Sequence, residues 1–227
     1  MTLSFKQRVG QFWSDFWMRR SGLSRSGRFA TKMAALLASP YKGRVALAQR
    51  YQQGFIDPSA AVAAQDVRLG RHVFLGERVV VYRRPEGHTV EIGDRAEVHR
   101  DTIIEVGRGG RVVIGAETGI QPRCQLSAYV GSILIGKFVQ IAPGCAFYPY
   151  DHQMEPGILM RDQPISSKGD IVIDDDAWLG TGVIVLSGVR IGAGAVIGAG
   201  SVVTKSIPAG AIAVGNPAKV VKMRGEA

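Results

Sequence analysis

Aromatic residues make up only 7% of this 227-residue chain, and just two residues are cysteine and four are histidine. A core this poor in rings is thin and repetitive rather than an ordinary globular one. Cys124 and Cys145 are too few for a disulfide framework. His72, His88, His99 and His152 contain no close pair of the kind a catalytic zinc site needs. No apolar run reaches the roughly 18–20 residues of a membrane span. Arg19-Arg20 is followed by Arg25, Arg28 and Lys32 rather than by an apolar stretch, so no export signal is expected and the expected compartment is cytoplasmic. Acidic residues are also the minority, which leaves a formal net charge of +9. No nucleic-acid-binding motif accompanies that charge, which leaves small anionic ligands or an anionic membrane as its partners.

What the chain has is a repeat. From Ile171 to Pro208 an aliphatic residue recurs every six positions: Ile173, Leu179, Val185, Ile191, Ile197 and Val203. Four places after each stands a small or branched residue: Ala177, Val183, Val189, Ala195, Ser201 and Ile207. Neither a helix nor an alternating strand has period six. Each unit reads as a short strand and a turn, stacked on its neighbours in a solenoid. Degenerate hexads begin at Ile56 and continue at Val62, Leu69, Leu75, Ile92, Val98, Ile114, Ile120, Leu126, Ile135, Ile141 and Phe147. They are interrupted at residues 83–89 and 106–112. Both cysteines fall at the fifth place of a hexad, as small buried thiols would.

Residues 1–54 form a different region, a helical extension. Phe5, Val9, Phe12, Trp13, Phe16 and Trp17 make one helical stripe with Lys6, Arg8, Arg19 and Arg20 around it. A flexible break follows at 21–27. A second helix is expected near Phe29–Ala38, and a third over 40–53, with Ser39 as N-cap, Pro40 in its first turn and Gly54 as C-cap. The stripe either packs on the solenoid or a neighbouring subunit, or lies on a membrane surface as an aromatic and basic anchor through residues 1–20.

Residues 55–214 are the expected β-helix domain, and 215–227 a basic tail. Within the domain the pattern stops over 148–170, YPYDHQMEPGILMRDQPISSKG lying between Phe147 and the regular hexads. A long patternless loop inside a strict repeat is usually functional, and it carries His152.

The stretch DDDAWLGTGVIVLSGVRIGAGAVIGAGSVVTKSIPAGAIAVGNPAKVV, preceded by that histidine loop, resembles the hexapeptide-repeat acyltransferases. The likeness is to the sugar O-acetyltransferase branch, which includes maltose, galactoside and exopolysaccharide acetyltransferases. It covers roughly residues 114–222. The resemblance implies an all-β, left-handed parallel β-helix of triangular section, assembled as a homotrimer. It implies acetyl-CoA as co-substrate, a sugar or glycan hydroxyl as acceptor, probable use in polysaccharide biosynthesis, and no metal. His152 matches the family's general base, a role suited to a group titrating near neutral pH. Trp178 matches the tryptophan beside the acyl site. Thr181, Ala199, Thr204, Lys205 and Lys222 match CoA-binding positions. The family asparagine at the acyl site is replaced by Pro122, which has no side-chain donor, so that contact is lost or moved to Gln121 or Gln125. N-acylation of an amino sugar or xenobiotic is the alternative reaction, and a non-catalytic scaffold the alternative to catalysis.

Overall fold

The structure, a computed structural model, describes residues 5–63 and 65–226, with side chains from Arg8 onward. Phe5 and Lys6 of the stripe thus lie outside the described side chains. The six regular hexads fold as their period predicts. Ile173, Leu179, Val185, Ile191, Ile197 and Val203 are all 0–1% exposed, and the small residues four places on are buried with them. The strands stack in parallel into three sheets that form the sides of a prism. The first face has nine strands. It runs from Phe55–Ile56 to Ala211–Val214 in parallel and closes with Lys219–Met223, which is antiparallel. The second face, of six strands, starts at Val80–Arg83 and ends at Val202–Val203. The third, also of six, runs from Val67–Leu69 to Arg190–Ile191. Each strand exposes one backbone edge, and the next coil pairs with it, so the strands satisfy one another's backbone groups along the stack.

The interruptions of the hexad pattern are not scattered. They fall where the chain passes from the second to the third face, and they stack on one another there. His88 N donates to Gly110 O at 3.2 Å and Gly109 N to Glu86 O at 2.9 Å. The long loop 149–170 leaves from this same corner, and the ring of Tyr150 meets Tyr129 of the coil before it at 5.9 Å. The other two corners keep tight turns.

Three helices precede the solenoid: α1 Phe5–Met18, α2 Arg25–Ala35 and α3 Lys42–Arg50. α2 starts earlier than its sequence pattern suggests, because Ser24 is its N-cap and its Oγ accepts from Gly27 N at 3.0 Å. α3 is shorter than expected at both ends. Tyr41, not Ser39, occupies its N-cap position, at φ 67° and with no side-chain cap. The helix ends at Arg50, so Gly54 serves the entry to the first strand instead. Its φ is +67°, and a Cβ there would sit 2.2 Å from Val73 O. Met18, Ala34, Leu47 and Ala48 pack with Phe55 and Phe74 into a small core of their own. Arg28 donates to Ala60 O and Val62 O, carbonyls of the first coil. The helices therefore cover the N-terminal end of the prism. The aromatic stripe divides: Trp13 and Trp17 turn inward, Trp13 Nε1 donating to Met33 O at 2.6 Å, whereas Phe12 and Phe16 remain exposed.

Candidate active site

The loop 149–170 has an internal order that its sequence pattern does not announce. Asp151–His152 pairs antiparallel with Ile165–Ser166, His152 opposite Ile165. Gln163, buried to 5% exposure, ties the tip together. Its Oε1 accepts from Glu155 N at 3.1 Å, and its Nε2 donates to Glu155 O at 2.8 Å and Ile158 O at 3.1 Å. At the base, the hydroxyls of Ser167 and Ser187 donate to Pro149 O at 2.6 and 3.0 Å. The result is an ordered arm. His152 is exposed on it, its backbone N–H donating to Asp151 Oδ1 at 3.0 Å. No hydrogen bond to its imidazole is present among the described residues. Met154, Ile158, Leu159 and Met160 at the tip are exposed large apolar groups.

Trp178 stands outward on the first face, 54% exposed, with Gln140 and Val196 in register on the strands beside it. Gln121 and Pro122 lie at the corner between first and second faces. Further along this corner come Pro143, Thr181 and Ala199, linked rung to rung: Gly144 N donates to Pro122 O at 3.0 Å, Gly182 N to Pro143 O at 3.0 Å and Gly200 N to Thr181 O at 2.8 Å. So Pro122, Pro143, Thr181 and Ala199 share one column, and Gln121 stands one place before it. Gln125 faces outward on the second face, in register with Ile103 and Ala146. Thr204 and Lys205 lie at the next corner, and Lys222 on the terminal strand, opposite Ile212. All of Thr181, Ala199, Thr204, Lys205 and Lys222 are exposed.

Turn glycines at this corner carry a further signal. The left-handed position of each coil is filled by Arg78, Asp101 and Arg123 at φ 52–63° in the early coils, then by Gly144, Gly182 and Gly200 at 69–72°. A Cβ on any of those three glycines would meet nothing within 4 Å. The chain's own packing does not require glycine there; bareness lets another molecule come close.

Cys124 and Cys145 are buried and free. Cys145 Sγ donates to Ala142 O and Gly180 O at 3.1 and 3.2 Å. Hydrogen bonding with the Cys145 thiol, then burial, pushes the Cys124 thiol far above the ordinary thiol range. Both sulfurs are buried in the prism, out of reach of a substrate. Among the described residues no three His, Cys, Asp or Glu side chains are grouped to hold a metal, and no helix is long and apolar enough to cross a membrane.

Residues 170–205 match the family described as bacterial transferase hexapeptide (six repeats). This segment of the chain is a run of hexapeptide repeats of the bacterial transferase kind. A Mycobacterium tuberculosis protein described as a probable acetyltransferase is 37% identical over 158 residues, 67% of this chain and 50% of that protein. A galactoside O-acetyltransferase of Lactococcus lactis is 42% identical over 88 residues, 39% of this chain and 42% of its own length. The chain thus spans about half the length of the curated relatives it matches. Among solved structures, the polySia-specific acetyltransferase NeuO superposes with TM-score 0.60 at 27% identity, covering 69% of this chain and 71% of that one. AntD, an N-acyltransferase from Bacillus cereus solved with dTDP-4-amino-4,6-dideoxyglucose and coenzyme A, shares the fold at TM-score 0.57 and 23% identity, over 67% of this chain and 82% of its own.

Within one chain the proposed site residues fall into two groups. His152 leaves from the second-to-third corner, where Thr204 and Lys205 also lie; Gln121, Thr181 and Ala199 line the first-to-second corner, with Trp178 beside them. No hydrogen bond or ring contact joins His152 to that second group among the described residues. Sequence reasoning missed Gln163 and the left-handed glycines. The change from Arg78, Asp101 and Arg123 to glycine at equivalent turns was the signal available for the latter.

Proposed function

We propose that this protein is an acetyl-CoA-dependent O-acetyltransferase of sugar or glycan hydroxyls. The observation that carries the reading is the ordered arm presenting His152 from a solenoid that matches hexapeptide transferases. An imidazole nitrogen of His152 takes the proton of the acceptor hydroxyl as its oxygen attacks the thioester carbonyl. The tetrahedral intermediate collapses, the carbon–sulfur bond breaks, and the CoA thiolate takes a proton back from the imidazolium. Transfer is direct, since both thiols are buried. Trp178 walls the acyl group, and Gln121 or Gln125 takes the place left by Pro122. The bare corner at Gly182 and Gly200, beside Thr181 and Ala199, suits the close approach of a pantetheine arm; Thr204, Lys205 and Lys222 reach its nucleotide phosphates as donors and point charges.

The division of the site between two corners supports a homotrimer in which the arm of one subunit serves the groove of its neighbour. The exposed tip at Ile158 and Leu159 is the surface such a contact would cover. Exposed Phe12 and Phe16, with Arg8, Arg19 and Arg20 around them, support a peripheral contact with the cytoplasmic leaflet. Deleting residues 1–38 should abolish sedimentation with phosphatidylglycerol vesicles; sedimentation equal to that of the full chain would refute the anchor.

The test of catalysis is steady-state kinetics with acetyl-CoA and a hydroxyl acceptor. His152→Ala should cost about two to four orders of magnitude in kcat and leave CoA affinity nearly unchanged. Lys205→Ala should chiefly raise the KM for acetyl-CoA. Near wild-type turnover in His152→Ala would remove His152 from the mechanism. Faster transfer to an amino sugar's nitrogen than to any hydroxyl would move the reaction to N-acylation.

A further inference from the structure

The first face carries a row of residues of which the proposed chemistry uses only Trp178. Glu97, Gly119, Gln140 and Trp178 are in direct register on four successive strands. With strands about 4.8 Å apart, the row extends about 14 Å from Trp178 to Glu97. Gly119 has no side chain, so the Gln140 amide lies over it, its Oε1 3.0 Å from where a Cβ would stand, and a groove of about 230 Å³ opens beside them. Gln49, Arg95, Glu97, Glu117, Gln121 and Gln140 border this groove. Amides and carboxylates of this kind are partners for hydroxyl groups and offer little to an apolar ligand.

The row ends under the helical extension. Gln49 of α3 donates to Glu97 Oε1 at 3.1 Å. Tyr41 holds a left-handed φ of 67°, a conformation that costs a non-glycine residue and persists where surroundings impose it. There its ring lies 5.4 Å from that of His99, and its hydroxyl donates to Gln121 Oε1 at 3.5 Å. Beneath it is a cavity of about 100 Å³ bordered by Tyr41, Arg44 and His99. His99 is 3% exposed. Its Nε2 lies 3.1 Å from Glu97 Oε2, and this bond holds the Glu97 carboxyl below the usual carboxylate range. With the hydrogen on Nε2, Nδ1 is an acceptor, and it is buried without a partner, as is the Nε donor of Arg44. Orphaned polar atoms in a cavity are costly unless something fills it. A hydroxyl can donate to His99 Nδ1 and accept from Arg44 Nε.

We propose that the first face is an extended acceptor strip, running from Trp178 past Gln140 and Glu97 to the cavity under Tyr41, which takes a linear oligosaccharide. The helical extension then sets acceptor length, with Tyr41 and Gln49 as its specificity-determining residues. The inference rests on Trp178 marking the acyl end, as in the reading above.

The test measures acetyl transfer from acetyl-CoA to methyl β-galactoside, methyl β-glucoside and linear galacto- and gluco-oligosaccharides of increasing length. The full chain is compared with Tyr41→Phe, which keeps the ring, and with Gln49→Ala. For the full chain, kcat/KM should rise about tenfold or more from one sugar unit to three, and each variant should lose most of that rise. A purely structural role for these residues would lower transfer to short and long acceptors alike, and that result would overturn the proposal. So would a flat dependence on length. If no saccharide is acetylated while acetyl-CoA is still hydrolysed in a His152-dependent way, the strip is refuted and the acyltransferase reading stands. If acetyl-CoA is neither bound nor hydrolysed, the acyltransferase reading itself falls.

Discussion

The early and late coils of the prism make the same turn with different residues. At the first-to-second corner the left-handed position is Arg78, Asp101 and Arg123 in the early coils and Gly144, Gly182 and Gly200 in the late ones. In the early coils the side chains at these turns interact: Arg78 and Asp101 form a two-pronged ion pair, with Nε to Oδ1 at 2.7 Å and Nη2 to Oδ2 at 3.0 Å. In the late coils they are missing, although open space would admit them. Left-handed backbone alone gives glycine an advantage of only about 1 kcal/mol, and the early coils forgo it three times. The difference teaches that the two halves answer different demands. The early coils stack and carry the helical cap. The late coils leave the same corner bare.

Exchanging residues between the halves breaks this comparison. The largest effect should come from Gly182→Arg, which places an early-coil side chain on the late corner. Acetyl transfer should fall about a hundredfold or more, while stability falls by only about 1 kcal/mol; calorimetry together with kinetics separates the two. Gln163→Ala should come next. It removes three hydrogen bonds from the arm and should loosen it by about 1–3 kcal/mol, seen as faster amide exchange over 153–164 with the solenoid unchanged. Arg123→Gly, the reverse exchange, should change stability by about 1 kcal/mol or less. The smallest effect concerns acid. Hydrogen bonding from His99, partly offset by burial, depresses the Glu97 carboxyl. A carboxylate lowered in the folded state contributes stability above its unfolded pKa, and that contribution is lost as pH falls through the lower folded value. Thermal melts should therefore show a stability loss below about pH 4 that is shallower in Glu97→Gln.

The solenoid was legible because each coil repeats the same local demand. Ile173 through Val203 are a period, and a period needs no knowledge of distant contacts. The two cysteines were legible for the same reason. The helix boundaries were not. Ser39 and Pro40 form an ordinary start signal, but Tyr41 gives it up to lie against His99, a contact between residues far apart in sequence. The interruptions at 83–89 and 106–112 could be seen as breaks, yet their stacking at one corner emerges only when the coils are superposed. His152 could be located from the family resemblance. That its arm leaves from a different corner than Thr181 and Ala199 is a property of the prism, invisible in a linear string.

That separation is the centre of the account, and subunit mixing tests it most directly. His152→Ala lacks the base; Ala199→Trp fills the groove. Each alone should be inactive. Coexpressed with different tags and purified through both, mixed trimers unite an intact arm from one subunit with an intact groove from another. Whichever subunit is doubled, one site in three of each mixed trimer should be whole, so the account predicts recovery toward about a third of wild-type activity. Mixed trimers as inactive as their parents would contradict it.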